Sequence, residues 1–240
     1  GEPKHQPPEF VIEEMLSESA MNSSLSLYPA TKGSQSLREA ICCWFLSRFE
    51  TQLNPDTQVL PVNGTREGLF SIAQSILPGR ESSSVGMPNP FYQIYEGAAL
   101  LAGSTPFFFN HETTNGNRPN FEDVDHSIWQ QCDLLYVCSP ANPSGHILSD
   151  AESKWLLEKS IQYDFVIVSD ECYSEIYMDE TKKPKSLLQR CRELGNSSFK
   201  NCVVFHSLSK RSNLPGLRSG FIAGDDNVIK NFLEYRTYHG

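Results

Sequence analysis

The sequence predicts an α/β fold: a three-layer α/β/α sandwich on a mostly parallel sheet of about seven strands. Three observations predict it. Short apolar runs of strand length, such as residues 134–138 and 165–169, are continuous rather than alternating, which marks strands covered on both faces. From residue 59 onward such runs alternate with stretches of helical period, the rhythm of strand–helix–strand crossovers. Polar residues of unusual kind gather directly after several of these runs, where open α/β sheets hold their ligands.

Taken in order, residues 1–58 begin with a proline-rich extended start, then predict a helix near 9–18, a turn segment at 28–33 and a helix over 36–49. They are expected to form an arm with docking helices on the main domain, residues 59–240. That domain opens with a strand at 59–63 and a helix at 65–77, followed by a strand at 84–87, a helix at 92–102 and a strand at 105–109. A strand at 134–138 precedes a helix at 150–163, for which Ser149 is the expected N-cap. Strands at 165–170, 203–207 and 220–223 complete the set. No repeat of solenoid or propeller length is present.

Composition narrows the function classes. Twenty Lys and Arg against 29 Asp and Glu give a net charge of −9, which argues against nucleic acid or an anionic membrane as partner. An anionic ligand must then be held by a local cluster of donors. The apolar runs fall far short of the ~18 residues that span a bilayer, and the start, Gly1-Glu2-Pro3-Lys4-His5, does not read as a secretion signal. Seven cysteines, an odd number without a C-x-x-C pair and several within apolar runs, read as reduced, mostly buried thiols of a cytoplasmic protein. The six histidines are scattered singly, so no metal site is expected.

Four polar clusters sit at strand ends: Asn63-Gly64-Thr65, residues 139–145, 170–173 and 207–218. In one open sheet they point to one shared site. Taken alone, Ser207-Leu208-Ser209-Lys210 is a basic surface loop. Asp170, however, closes a strand, where a carboxylate is desolvated and costly unless it meets a cation or a protonated ring. Tyr173 follows it by three residues, and Asn142 comes directly after another strand. A strand-end Asp, a Lys, a Tyr, an Asn and phosphate-type donors suit pyridoxal 5'-phosphate, held as a Schiff base on a lysine with an Asp on the pyridinium nitrogen.

The turn Ser139-Pro140-Ala141-Asn142-Pro143-Ser144-Gly145 resembles the N-P-x-G turn of the class I aminotransferases of pyridoxal-phosphate fold type I, and residues 207–218 resemble their lysine motif. The spacings agree with that family: 28 residues from Asn142 to Asp170, three from Asp170 to Tyr173, three from Ser207 to Lys210 and eight from Lys210 to Arg218. The resemblance runs over essentially the whole chain. It implies that Lys210 bonds the cofactor and carries the proton between substrate Cα and cofactor C4', while Asp170 keeps the pyridine nitrogen protonated. It implies that Tyr173 and Asn142 hydrogen-bond the phenolic oxygen. Ser207, Ser209 and Arg218, with Gly64, Thr65 and Arg66 at a helix N-terminus, would hold the phosphate. Tyr92 would stack on the ring, with Phe91 as the competing choice. Tyr28 matches the tyrosine that reaches the phosphate of a neighbouring subunit, so a homodimer is expected. Arg38 is read as a solvated helix charge.

Tyr28-Pro29-Ala30-Thr31-Lys32-Gly33, the NPFYQIYEG run from Asn89 and the HSLSKRSNLPGLRSG run from His206 narrow the resemblance to the succinyldiaminopimelate aminotransferases of bacterial lysine biosynthesis. These exchange an amino group between glutamate and N-succinyl-2-amino-6-oxopimelate. The resemblance thus implies amino-acid and keto-acid substrates rich in carboxylate, for which Lys32, Arg66 and Arg211 are the cationic candidates. The family's usual N-P-T-G reads Asn142-Pro143-Ser144-Gly145, which keeps the hydroxyl. It also implies a smaller domain beyond residue 240, carrying the arginine for the substrate α-carboxylate. A C–S lyase on the same scaffold and a non-catalytic pyridoxal-phosphate-binding sensor domain stay open as alternatives.

Overall fold

All seven expected strands form and lie in one sheet of the computed structural model, which describes residues 3–77, 82–112, 116, 118–122 and 124–239. They are β1 (Val59–Val62), β2 (Ser84–Asn89), β3 (Thr105–Glu112), β5 (Cys132–Cys138), β6 (Val166–Asp170), β7 (Cys202–Ser207) and β8 (Gly220–Gly224). An eighth, β4 (Arg118–Pro119), adds two residues at one edge, antiparallel to β3. The order across the sheet is β1-β8-β7-β6-β5-β2-β3-β4.

The expected parallel character holds for the centre only. β3, β2, β5, β6 and β7 run parallel, but β8 is antiparallel to both β7 and β1. The cause is the connection between β7 and β8. Leu208 N–H donates to Ser219 C=O at 3.1 Å, so the segment leaves and returns at the same edge as a closed loop instead of crossing the sheet.

Ten helices surround the strands among the described residues. The expected helix near 9–18 is instead two, α1 (Glu9–Met15) and α2 (Glu18–Ser26). The break falls where Ser17 caps α2 by accepting from Ala20 N–H at 3.2 Å. They are followed by α3 (Gln35–Phe49), α4 (Thr65–Ile76), α5 (Ile94–Leu101) and the short α6 (His126–Gln131). α7 (Asp150–Tyr163) starts as expected at Ser149, in a capping box with Glu152, and ends at Asp164 in the left-handed region. α8 (Leu187–Glu193), α9 (Leu208–Arg211) and α10 (Asp226–Arg236) complete the set.

Two apolar layers clasp the sheet. On one face Phe45 and Phe49 of α3, Leu156 of α7 and Leu188 of α8 pack with Trp129 against Phe165, Ile167 and Val204. On the other, Leu69 and Ile72 of α4, Tyr95 and Ala98 of α5 and Phe232 of α10 pack against Val168, Val203 and Phe205. Neighbouring residues of one strand thus enter opposite layers, which is why the strands read as unbroken apolar runs. Residues 10–28 contribute little to either layer: Phe10, Leu16, Leu25, Leu27 and Tyr28 are exposed. No helix among the described residues is long and apolar enough to cross a membrane. Five of the seven thiols are buried: Cys132, Cys138, Cys172, Cys191 and Cys202.

Arg38 corrects the sequence reading. It is 5% exposed, and its guanidinium donates to the carbonyls of Pro55 at 2.7 Å, Gly33 at 2.6 Å and Lys32 at 3.3 Å. These carbonyls belong to segments outside the sheet that fold over the start of α3, and the fork-shaped guanidinium supplies the donors their backbone lacks.

Candidate active site

The strand registers bring the polar clusters to one edge. Cys138 pairs with Asp170 and Asp170 with Phe205, so β5, β6 and β7 end together. Gly220, where β8 begins, pairs with both Ser207 and Val62. Because β8 runs against both neighbours, β1 runs with β7 and delivers Gly64 and Thr65 to the same edge.

There a cavity of about 450 Å³ is lined by ten of the expected residues: Thr65, Arg66, Tyr92, Asn142, Asp170, Tyr173, Ser207, Ser209, Lys210 and Arg218. Gly64 lies directly beneath, against Arg218. Tyr28 is fully exposed and outside the cavity. Of the three cations considered for substrate carboxylates, only Arg66 lines it. Lys32 borders a separate hollow beside Asp56 and Asp226. Arg211 turns away to lie over the Trp44 ring, 4.0 Å from its centroid, at a separate apolar cavity of about 180 Å³ under α3.

Asp170 is the electrostatic centre. It is 5% exposed, and its Oδ2 accepts from the Tyr95 hydroxyl at 2.8 Å and its Oδ1 from Cys172 N–H at 3.2 Å. Burial pushes the carboxyl above its ordinary range, and these two donors only partly oppose it. Its negative form therefore awaits a cation, the fit that a protonated pyridine nitrogen would supply. The two phenols facing the cavity are raised as well. Tyr173 is pushed up to about 12 by burial and by the Asp170 charge. Tyr92 is also raised by burial, with Arg66 and Arg218 pulling against it. Both remain protonated donors near neutrality.

The same cavity carries a group of potential anion donors. Gly64 is the N-cap of α4, at φ +90°, and has no side chain to occupy the first free N–H groups of the helix. A Cβ there would collide with Arg218 Nη2. Arg218 itself holds a left-handed conformation, φ +51°, and its Nη1 donates to Pro215 C=O at 2.8 Å. Ser207 caps α9 by accepting from Ser209 N–H at 3.0 Å. A helix N-terminus, two serines and an arginine are groups of the kind suited to a phosphate. A buried carboxylate, these donors and Lys210 of α9, all lining one cavity, fit a phosphorylated pyridinium aldehyde.

The structure separates the two candidate ring-stacking residues. Tyr92 borders the cavity, edge-on to Tyr95 at 5.8 Å, whereas Phe91 stacks on Phe108 of β3 at 5.4 Å. Tyr95, Cys172 and Pro215 are site residues that the sequence reading omitted. Tyr95 carries a signal that could have found it: it stands three residues after Tyr92, in the first turn of α5. Cys172 has none beyond its place beside Asp170; its Sγ lies 3.0 Å from Thr65 Oγ1, and burial pushes the thiol far up, so it stays protonated.

Comparison with known proteins agrees with this geometry. The family described as aminotransferase class I and II matches residues 1–237. An LL-diaminopimelate aminotransferase of Natranaerobius thermophilus is 30% identical over 239 residues, which are 99% of this chain and 59% of that protein. An aminotransferase of Neisseria meningitidis has the same fold at a TM-score of 0.93 and 44% identity, over 100% of this chain and 60% of its own. Aminotransferase AspB of Helicobacter pylori follows at 0.92 and 38%, over 100% of this chain and 62% of its own. The chain thus spans about 59% of the length of the curated relatives it matches. With a family match that takes in all four strand-end clusters, the chain belongs to the class I and II aminotransferases.

Proposed function

We propose that this chain forms the cofactor-binding part of a pyridoxal-phosphate-dependent aminotransferase that exchanges an amino group between glutamate and a diaminopimelate-type partner. The observation that carries the reading is the pairing of a buried, cation-seeking Asp170 with Lys210 and an anion cradle in one cavity. Pyridoxal phosphate, when bound, supplies an electron-accepting ring that stabilises negative charge on a substrate carbon. Asp170 holds the ring nitrogen's proton, and Tyr95 and the Cys172 amide hold Asp170. Tyr173 and Asn142 donate to the ring oxygen, Tyr92 covers one ring face, and the α4 N-terminus with Ser207, Ser209 and Arg218 fixes the phosphate. Lys210 Nζ would anchor the cofactor and, once displaced by the substrate amine, would carry the proton from the substrate Cα to the cofactor carbon C4'. Fully exposed Tyr28 serves a second copy of the chain in a homodimer.

The substrate reading draws on relatives named LL-diaminopimelate aminotransferase. We infer the succinylated keto acid, N-succinyl-2-amino-6-oxopimelate, as the amino acceptor, on the resemblance of the motifs quoted above. Of Lys32, Arg66 and Arg211, Arg66 is the one that lines the cavity, which supports it as the partner of one of its carboxylates. The test is borohydride reduction of the protein with pyridoxal phosphate, mapping of the labelled peptide, then assay of amino transfer from glutamate. A label on Lys210 and transfer to the succinylated keto acid are expected. Transfer only with free LL-diaminopimelate and 2-oxoglutarate would correct the substrate, release of pyruvate from cysteine conjugates would make it a lyase, and a label elsewhere would refute the site.

A further inference from the structure

β6 and β7 carry the two halves of the candidate site, since Asp170 closes one and Ser207 the other, with Lys210 on the short helix just beyond. Their backbone pairing gives out here: Glu171 N–H donates to Phe205 C=O at 2.9 Å, and the β6 chain then turns away. At that point two ionisable side chains meet behind the site. Glu171 Oε2 lies 3.0 Å from His206 Nε2, with both side chains 2% exposed. The approach is off the line of a hydrogen bond.

Each member is tied down from other sides. Glu171 Oε1 accepts from Leu187 N–H at 2.8 Å, at the start of α8, and from the Ser169 hydroxyl at 3.1 Å. The His206 ring lies among Trp44, Phe45, Phe49 and Phe221, with centroids 5.2 to 5.7 Å away, and its Nδ1 is 3.5 Å from the Ser174 hydroxyl. Neither residue borders the cavity that holds Lys210. Yet each is the chain neighbour of a residue that does: Glu171 of Asp170, and His206 of Ser207. A hydrophobic pair would fill the same volume at no desolvation cost, so a buried polar pair at this point suggests a role in the geometry it fixes.

We propose that Glu171 and His206 are a pair of positioning residues that clamp the end of β6 to the end of β7, and so set the placement of the Asp170 carboxylate relative to the Lys210 amine. This rests on the reading of Asp170 and Lys210 as partners of one cofactor. The test uses Glu171→Gln, His206→Gln and the double variant in the cofactor-loaded protein. Glu171→Gln keeps the side-chain shape and the acceptor for Leu187 and Ser169, so the fold survives the loss of charge. The readouts are the visible absorbance band of the lysine-linked cofactor and its pH midpoint, the cofactor dissociation constant, and thermal unfolding.

Each single variant should displace the band's pH midpoint and weaken cofactor retention about three- to tenfold, with the double variant no worse than the worse single one. An unmoved band, midpoint and retention in both singles, with only a lower melting temperature, would overturn the proposal, because the pair would then serve stability alone. Additive losses in the double variant would overturn the pairing. A parent protein without any lysine-linked band is a different failure: it refutes the cofactor reading on which the pair depends.

Discussion

Tyr95 and Asp170 stand 75 residues apart in the sequence and are joined by a hydrogen bond of 2.8 Å, the phenol donating to the carboxylate. Tyr95 is itself fully buried and stacked on Tyr136, ring centroids 4.6 Å apart, so the donor cannot swing away. The helix α5 thereby reaches across the layer to hold the one carboxylate on which the site turns.

Removing that donor should have a defined sign. Tyr95→Phe removes one of the donors that oppose burial at Asp170, so its carboxyl, already raised, rises further. The acidic limb of the pH–rate profile is expected to move to higher pH, and cofactor affinity to fall about tenfold. Activity profiles at matched cofactor saturation check this; an unmoved limb would contradict it.

Asp170 should also cost the cofactor-free protein stability. A carboxyl whose folded pKa is raised contributes stability that is present below the ordinary carboxylate range and is lost as pH rises through the raised value. At pH 7 Asp170→Asn is therefore expected to raise the melting temperature of the cofactor-free protein, by about 2–4 °C for each kcal/mol relieved in a chain of this size. The same change should abolish amino transfer. A lower melting temperature at pH 7 would refute the argument.

Gly64→Ala puts a methyl group into the Arg218 guanidinium at a backbone angle that alanine disfavours. Cofactor affinity should drop about tenfold or more, and inorganic phosphate should compete less well for the site. Titration with pyridoxal phosphate, alone and against phosphate, measures both.

Arg38→Ala strands three backbone carbonyls that the guanidinium now satisfies. The expected loss is about 2–4 kcal/mol in urea unfolding, with cofactor affinity retained. A loss below about 0.5 kcal/mol would return Arg38 to the class of surface charges.

What could be read in advance divides along physical lines. Strands such as β6 and β7 declared themselves because burial on both faces demands unbroken apolar runs, and the expected roles of Asp170, Lys210 and Arg218 came from the resemblance of the motifs at the ends of those runs. The direction of β8 did not, because it depends on a hydrogen bond between Leu208 and Ser219 that leaves no mark in composition. Tyr92 and Phe91 are adjacent aromatics, and only the distant Phe108 decides which of them turns from the cavity. Arg38 looked solvated because its partners are carbonyls, and every residue has one. Short α8 went unread because seven residues make too little of a periodic pattern, while α10, of eleven residues, starts from an Asp225 cap that was open to notice.

The two reversals on either side of β8 impose a parity rule on the evolution of this fold. Gly64 and the first turn of α4 meet Arg218 only because an odd number of antiparallel strands, here one, lies between β7 and β1. Insertion or loss of a single strand there would point β1 the other way and carry half of the anion cradle to the far edge of the sheet. The opposite margin is under no such rule, and it is there that the two-residue β4 has been added. Variation in strand number among relatives should accordingly collect beyond β3 and be absent between β7 and β1.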